Sequence, residues 1–112
     1  MATFTKVGFS GDSTGKGILV AATSTPGTTI HASTAGTTFD EVWIYATNND
    51  VSAVTLEIEF GQTSNLIKMS IPATSGLTII IPGLIVGPSL TVAAFASAAN
   101  KVSLFGYVNR IS

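Results

Sequence analysis

Residues 54–60 alternate strictly between apolar and polar side chains, a period of two that is typical of a half-buried β-strand. The polar set includes Glu57 and Glu59 and predicts a solvated face, or a face turned towards a partner. A helix would need apolar residues three and four positions apart, and no stretch of the chain sustains that spacing. We therefore predict no substantial helix. The apolar set predicts the core side of the strand and comprises Val54, Leu56, Ile58 and Phe60.

Short runs of strand-forming residues continue along the chain from Gly17 onward. Turn clusters such as Thr25-Pro26-Gly27 separate them. Residues 84–86 predict a loop or a very short edge strand. Eight short antiparallel strands favour an all-β fold with one domain, a β-sandwich of the jelly-roll type, with an immunoglobulin-like sandwich as the alternative. The predicted strands are residues 18–23, 28–32, 41–47, 54–60, 66–71, 77–81, 90–96 and 102–110.

The first 16 residues differ from the rest, because they are rich in Gly, Ser and Thr and hold few large apolar side chains. We therefore predict an extended N-terminal arm at residues 1–16 and a β-sandwich domain at residues 17–112. The spacing of Phe4 and Phe9 favours an arm that docks on another surface.

Charged residues are scarce, since Asp, Glu, Lys and Arg make up 10% of the chain against about 25% in average globular domains. The net charge is −1 and the cations are scattered, which argues against a nucleic-acid partner. No Cys is present, so no disulfide or thiolate metal site can form. The most apolar stretch, residues 77–86, is too short to span a bilayer. A chain with so little charge predicts a surface largely covered by other protein.

Residues that could carry catalysis form no convincing constellation. Residues 11–17 are rich in glycine but lack phosphate-loop spacing, because Ser10 stands where that motif needs its first glycine. Glu57 and Glu59 lie two apart, but we expect both on a solvated face rather than in a cleft. His31 is the sole histidine, and we expect it at the surface or in an interface. We predict no enzymatic activity, no metal and no cofactor.

Two aromatic pairs have alternative interpretations. Trp43 and Tyr45 share one face of the third predicted strand, and Phe105 and Tyr107 share one face of the last. Such pairs fill a core or cap a sheet edge. They also form sugar-binding platforms and interaction hot spots.

The chain has more large apolar side chains than one sandwich core can hold. If Leu77, Ile79 and Ile81 face the core, Ile80 faces outward. Apolar patches of a few hundred Å² on a surface usually mark interaction sites. We therefore predict a homo-oligomer, either a dimer or a trimer. The candidate contact residues are Phe4, Phe9, Trp43, Tyr45, Ile80, Leu84, Ile85 and Val86.

Segments within residues 18–111 resemble a group of small phage structural proteins. They are strand and turn segments, and no active-site residue comes with them. The resemblance implies a virion protein, specifically a capsid decoration or cement protein that binds the outside of a phage head and reinforces contacts between major capsid subunits. The segments are LVAAT at 19–23, PGTTIH at 26–31, FDEVWIYATN at 39–48, NLIK at 65–68 and VNRI at 108–111.

The same resemblance implies the major capsid protein as partner and the capsid surface of the virion as location, after assembly in the host cytoplasm. Neither nucleic acid nor a membrane is expected as a partner. Another virion component, such as a collar, a fibre base or a tail module, is an alternative. A carbohydrate-binding jelly roll that uses Trp43 and Tyr45 is a further alternative.

Overall fold

The computed structural model describes residues 3–112, and this part of the chain forms nine strands. No helix occurs among these residues, which confirms the prediction made from the spacing of apolar side chains. The strands are β1 Phe4–Val7, β2 Ile18–Leu19, β3 Thr28–Ala32, β4 Phe39–Asn48, β5 Val54–Gly61, β6 Leu66–Ile71, β7 Ser75–Val86, β8 Thr91–Ala96 and β9 Val102–Ile111.

Two antiparallel sheets pack together around one core, so the predicted all-β sandwich is confirmed. The five-stranded sheet has the order β1–β9–β4–β7, and the short strand β2 also pairs with β9. The four-stranded sheet has the order β3–β8–β5–β6. The molecule measures 48 × 26 × 20 Å along its principal axes. Strand β7 lies at one edge of its sheet, and this position matters for the surface described below.

Strand pairing is nested around one hairpin. Strand β5 pairs with β6, β4 with β7, β3 with β8 and β2 with β9, each pair antiparallel. Pairing of β4 with β9 and of β5 with β8 joins these units side by side. From β2 onward the chain therefore crosses between the sheets at every connection except the β5–β6 turn.

The core lies between the sheets and takes the inward side of each long strand. In β4, Val42, Ile44 and Ala46 are fully buried, whereas Trp43 and Tyr45 point the other way. The two-residue period of the sequence predicts this division. The largest buried apolar side chains of the core are Ile30, Ile44, Leu56, Ile58, Ile71, Ile81 and Leu104.

Residues 4–7 pair into the sandwich as strand β1, whereas their composition predicts a separate arm at residues 1–16. Residues 1 and 2 of that predicted arm lie outside the described residues. Strand β1 pairs with β9, with Phe4 opposite Ile111. At the same end of the sheet, Thr3 N–H donates to the Ser112 carbonyl at 2.8 Å, and Ser112 N–H donates to the Thr3 carbonyl at 3.0 Å. Composition could not reveal this pairing, because β1 has only four residues and its partner is at the opposite end of the chain.

Phe9 enters the core instead of docking elsewhere. It is 3% exposed, and its ring lies against Gly106 of β9. Gly106 has φ +149°, and a Cβ there would meet both the Phe9 ring and the Trp43 carbonyl oxygen. Glycine at this position therefore makes room for the ring of Phe9.

Strand β7 is one continuous strand where the sequence predicts a strand, a break and a loop. Pro82 and Gly83 do not end it. Pro82 pairs with Trp43 at a sheet edge, where a missing N–H costs no ladder bond, and Gly83 takes φ +87° within a register shift. The bulges let β7 follow β4 along its whole length. At each bulge β7 has one residue more than β4 opposite it. The extra residue reverses which side chains of β7 face inward, and Ile80 and Val86 thereby point into the core.

Candidate interaction surface

The outward side of the five-stranded sheet carries side chains that the strand register arranges in rows. Across β9 and β4 the rows are Ile111–Phe39, Asn109–Glu41, Tyr107–Trp43, Phe105–Tyr45 and Ser103–Thr47. Strands β1 and β2 extend these rows with Phe4, Lys6 and Leu19. Strand β7 extends them with Ile85, Pro82 and Ile79. We call this set of 16 side chains, counted from these rows, the outer apolar face.

Much of the outer apolar face is open to solvent. Phe4 is 71% exposed and Ile85 is 57% exposed, and Leu19, Phe39 and Ile79 are exposed as well. The face contains two charged residues, Lys6 and Glu41. The polar row Lys6–Asn109–Glu41 lies between the Phe4–Ile111–Phe39 row and the aromatic rows. Exposed apolar side chains grouped on one face and bordered by polar residues usually mark an interaction site.

The centre of the face is a packed group of aromatic rings. The rings of Trp43 and Tyr107 stack with centroids 6.3 Å apart and planes 15° apart. Lys6 Nζ lies 4.6 Å from the centroid of the Tyr107 ring, within range of a cation–π contact. On its other side Trp43 lies against Gly83, where an added Cβ would be 3.0 Å from the indole. These contacts hold the rings in place and reduce the area of Trp43 on which a sugar could stack.

Glu41 is the one acidic group of the face and is hydrogen-bonded there. Its Oε1 accepts from Trp43 Nε1 at 2.8 Å and from Asn109 Nδ2 at 2.9 Å. The hydrogen bond from Trp43, with a smaller contribution from Asn109, holds the pKa of Glu41 below its usual value. The carboxylate is therefore charged at neutral pH and fixed in one orientation.

The predicted contact residues fall into two groups. Phe4, Trp43, Tyr45 and Ile85 lie on the outer apolar face, and Leu84 is exposed on the edge strand β7. The other three are buried in the core, so the structure corrects their assignment as surface contacts. They are Phe9, Ile80 and Val86.

The predicted contact residues do not include the exposed or half-buried Leu19, Phe39, Ile79 and Ile111 of the outer apolar face. The sequence pattern could have identified Phe39, because it lies two residues before Glu41 and four before Trp43 and so shares their side of β4. The predicted strand began two residues too late to include it. The residue pattern predicts Ile79 in the core. It does not reveal the bulges of β7, which place Ile79 opposite Tyr45 on the outward side.

The outward side of the four-stranded sheet has a different character. Lys68 Nζ lies 3.4 Å from Glu57 Oε1 in a partly exposed ion pair across β5 and β6. This side has two charged residues that are not buried, as does the outer apolar face, but Leu66 is the one large apolar side chain of its described residues that is exposed. The two sides of the sandwich therefore differ in how much apolar surface they expose.

Glu59 is buried, although its position in the alternating strand predicts a solvated side chain. Its Oε2 accepts from the Thr25 hydroxyl at 2.5 Å, and its Oε1 accepts from Gly27 N–H at 2.7 Å. The loop between β2 and β3 thus covers the outward side of β5 at this point. Glu59 serves as an anchor for that loop.

His31 is also buried, which corrects its expected place at the surface or in an interface. It is 1% exposed, and its Nδ1 accepts from Ser10 N–H at 3.1 Å. Its Nε2 lies 2.6 Å from Asp40 Oδ2. Because Nδ1 is an acceptor, the proton of the neutral ring is on Nε2 and is donated to Asp40. His31 thereby ties the segment after β1 to β4.

Arg110 completes this buried cluster from β9. Its Nε donates to Asp40 Oδ1 at 2.9 Å and its Nη2 donates to Asp40 Oδ2 at 3.0 Å. Burial by itself raises the pKa of Asp40, but the hydrogen bonds from Arg110 and His31 outweigh it and hold the pKa below its usual value. Ser10 contributes its backbone N–H to the ring, and its hydroxyl accepts from Ala32 N–H at 2.7 Å. The cluster is arranged to hold strands together, with no hydroxyl facing the imidazole as a nucleophile.

A shallow cleft at the end of the sandwich, beside Gly87, has a volume of about 350 Å³. Ile85 and Leu90 supply its apolar wall, and Gln62 and Asn65 supply polar groups. Residues 3–112 hold no group of three or more His, Cys, Asp or Glu side chains that could bind a metal ion. Nor does that part of the chain contain a helix able to cross a bilayer.

The chain was compared with known proteins at three levels. No protein-family model, curated protein or solved structure matches it.

Proposed function

We propose that this protein is a non-enzymatic structural subunit of a phage virion, a capsid decoration or cement protein that reinforces contacts between major capsid subunits. The observation that carries the proposal is the set of exposed apolar side chains on the outer apolar face, Phe4, Leu19, Phe39, Ile79 and Ile85. Exposed apolar side chains grouped in this way are typical of a surface that an interaction partner covers. The resemblance to small phage structural proteins supplies the kind of partner.

We further propose that the sandwich is a jelly roll. The nested pairs, β5 with β6 out to β2 with β9, support this topology, because a jelly roll is an eight-stranded hairpin rolled into two four-stranded sheets. Strand β1 is then an addition to the edge beside β2. An immunoglobulin-like sandwich has different neighbours, with sheets of four and three strands.

The surface proposed to meet the capsid is the edge strand β7. Its exposed apolar side chains are Leu77, Ile79, Leu84 and Ile85. No charged residue occurs between Lys68 and Lys101, so the strand has none of the edge charges that usually prevent association. An edge strand also offers backbone N–H and C=O groups for pairing with another chain. Edge pairing together with apolar burial would join this subunit to a neighbouring surface.

Cementing follows if one subunit contacts two capsid subunits at once. Burial of ~400 Å² of apolar surface at ~25 cal/mol per Å² contributes about 10 kcal/mol gross, before the entropy of association is subtracted. Part of that free energy would oppose separation of the two capsid subunits. The location is then the outer surface of the head, with no nucleic acid or membrane as partner.

The test uses phage heads that lack this protein. We expect added protein to cosediment with the heads and to raise the temperature at which they release their DNA. The double variant Leu84→Lys, Ile85→Lys should abolish cosedimentation while keeping a native circular dichroism spectrum. Thr55→Lys, on the outward side of the four-stranded sheet, is the matched control and should bind like the native chain. Unchanged head stability with the native protein bound would contradict a cement role.

A further inference from the structure

We propose that the part of the outer apolar face formed by β1, β9 and β4 packs against the same part of a second copy, around a two-fold axis that runs along β9. The inference deepens the proposed function and rests on it for the idea of an oligomeric subunit.

The lengths of β1, β9 and β4 set the area that a second copy would cover. From the Ile111–Phe39 row to the Ser103–Thr47 row, the face runs nine residues along β9. Strands β9 and β4 contribute nine residues each and β1 contributes four. At about 3.4 Å per residue and about 4.8 Å between strands, they present roughly 360 Å² of projected area per copy. Side-chain relief raises the accessible area, so two copies bury about 800 Å² in total, at the small end of protein–protein interfaces. A weak dimer is the expected result.

The two charged residues of the face are placed so that they meet across this two-fold axis. Lys6, Asn109 and Glu41 form one row across β1, β9 and β4. Rotation about an axis along β9 exchanges β1 with β4 and keeps each row opposite itself. Lys6 of each copy then faces Glu41 of the other, and Asn109 faces Asn109. The only two charges of the face therefore neutralise each other across the interface, and the amide on the axis meets a group that can both donate and accept.

The apolar rows match under the same rotation. Phe4 of one copy faces Phe39 of the other, and Ile111 faces Ile111. The most exposed aromatic side chain of the described residues, Phe4, is thereby covered. The central rings are already held by their neighbours, so little side-chain freedom is lost when a second copy binds.

The arrangement leaves β7 free. Strand β7 lies two strands from β9, and the rotation places nothing opposite it, because β1 ends the sheet on the other side. The dimer contact and the proposed capsid contact therefore use different strands of one sheet. A dimer would present two β7 edges, one on each flank, to two capsid subunits.

Charge reversal tests the arrangement. The native chain is expected to dimerise at tens of micromolar in sedimentation-velocity measurements. Lys6→Glu and Glu41→Lys should each weaken dimerisation at least tenfold, because each brings like charges together twice. The double variant Lys6→Glu, Glu41→Lys should restore dimerisation to within about threefold of the native chain. A mixture of the two single variants should form heterodimers by native mass spectrometry, whereas neither variant alone should form homodimers.

Lys68→Glu, on the outward side of the four-stranded sheet, is the matched control and should leave dimerisation unchanged. A native chain that stays monomeric at several hundred micromolar would overturn the inference. A trimer, or a dimer indifferent to both single charge reversals, would also overturn it. The two proposals fail separately. A native chain that binds heads but stays monomeric contradicts only the dimer, and a native dimer that binds no heads contradicts only the capsid role.

Discussion

At the scale of single residues, the cluster around Asp40 carries the largest electrostatic consequence. Asp40 is fully buried and bound by Arg110 and His31, with its pKa held below the usual value. The unfolded chain has an Asp pKa of about 3.9. A carboxyl whose folded pKa is depressed contributes stability that is complete above the unfolded pKa and lost as pH falls through the folded pKa. We expect the free energy of unfolding to fall steeply below about pH 4.

Asp40→Asn should remove part of that acid dependence and lower the stability at pH 7. The expected loss is about 2–3 kcal/mol, below the range for a fully buried pair because Arg110 is 25% exposed. Urea denaturation at pH 7, 5, 4 and 3 measures both effects. Glu57→Gln, which breaks a partly exposed pair, should cost less than about 1 kcal/mol. Equal acid sensitivity in the native chain and the Asp40→Asn variant would show that other carboxyls control the transition.

The sequence predicts inward and outward positions well where a strand alternates, as it does for Val42 to Ala46 in β4. It fails for His31 and Glu59, which are polar, lie where the pattern predicts exposure and are buried. Their partners are 9 and 34 residues away, so no local pattern contains them. Burial of a polar group depends on such distant partners, and a single sequence does not show which residues they are.

At the scale of elements, the segment around β1 behaves as part of the sandwich, and two phenylalanines test this. Phe9→Ala should lower the free energy of unfolding by about 3–5 kcal/mol, because it empties a buried aromatic site next to Gly106. Phe4→Ala, at an exposed position on the same segment, should change stability by less than about 0.5 kcal/mol. Chemical denaturation of both variants measures the difference. Similar small effects in both would favour the separate arm.

The bounds of β3 and β6 match the predicted strands, and most other strands shift by a few residues at their ends. Strand β7 is the instructive difference. Pro82 and Gly83 are strong break signals, and their effect depends on whether a strand lies at an edge. Position within the sheet is decided by pairing with β4, a property of the whole fold. The short-range sequence pattern thus predicts that these strands exist. It does not predict that β7 continues through Pro82 and Gly83, or which side chains form the outer apolar face.

At the scale of the whole molecule, the nested pairing suggests an order of folding. The β5–β6 pair closes the shortest loop, and each outer pair closes a longer one at a greater entropic cost. We expect Ile58→Val in β5 to slow folding, with a φ-value above about 0.5, and Leu104→Ala in β9 to accelerate unfolding, with a φ-value below about 0.3. Stopped-flow refolding and unfolding give both values. The reverse ranking would place the nucleus at the outer pairs.

The backbone exchange between Thr3 and Ser112 has a mechanical consequence. Both ends of the described chain lie at the same end of the five-stranded sheet, on antiparallel neighbours. Tension applied through them loads the β1–β9 hydrogen bonds one after another, so that the pair unzips instead of shearing. The fold therefore offers little resistance to a pull on its ends. Force that enters through the broad sides of the sandwich loads many strands together, and a protein under strain in an assembly is best held by those sides.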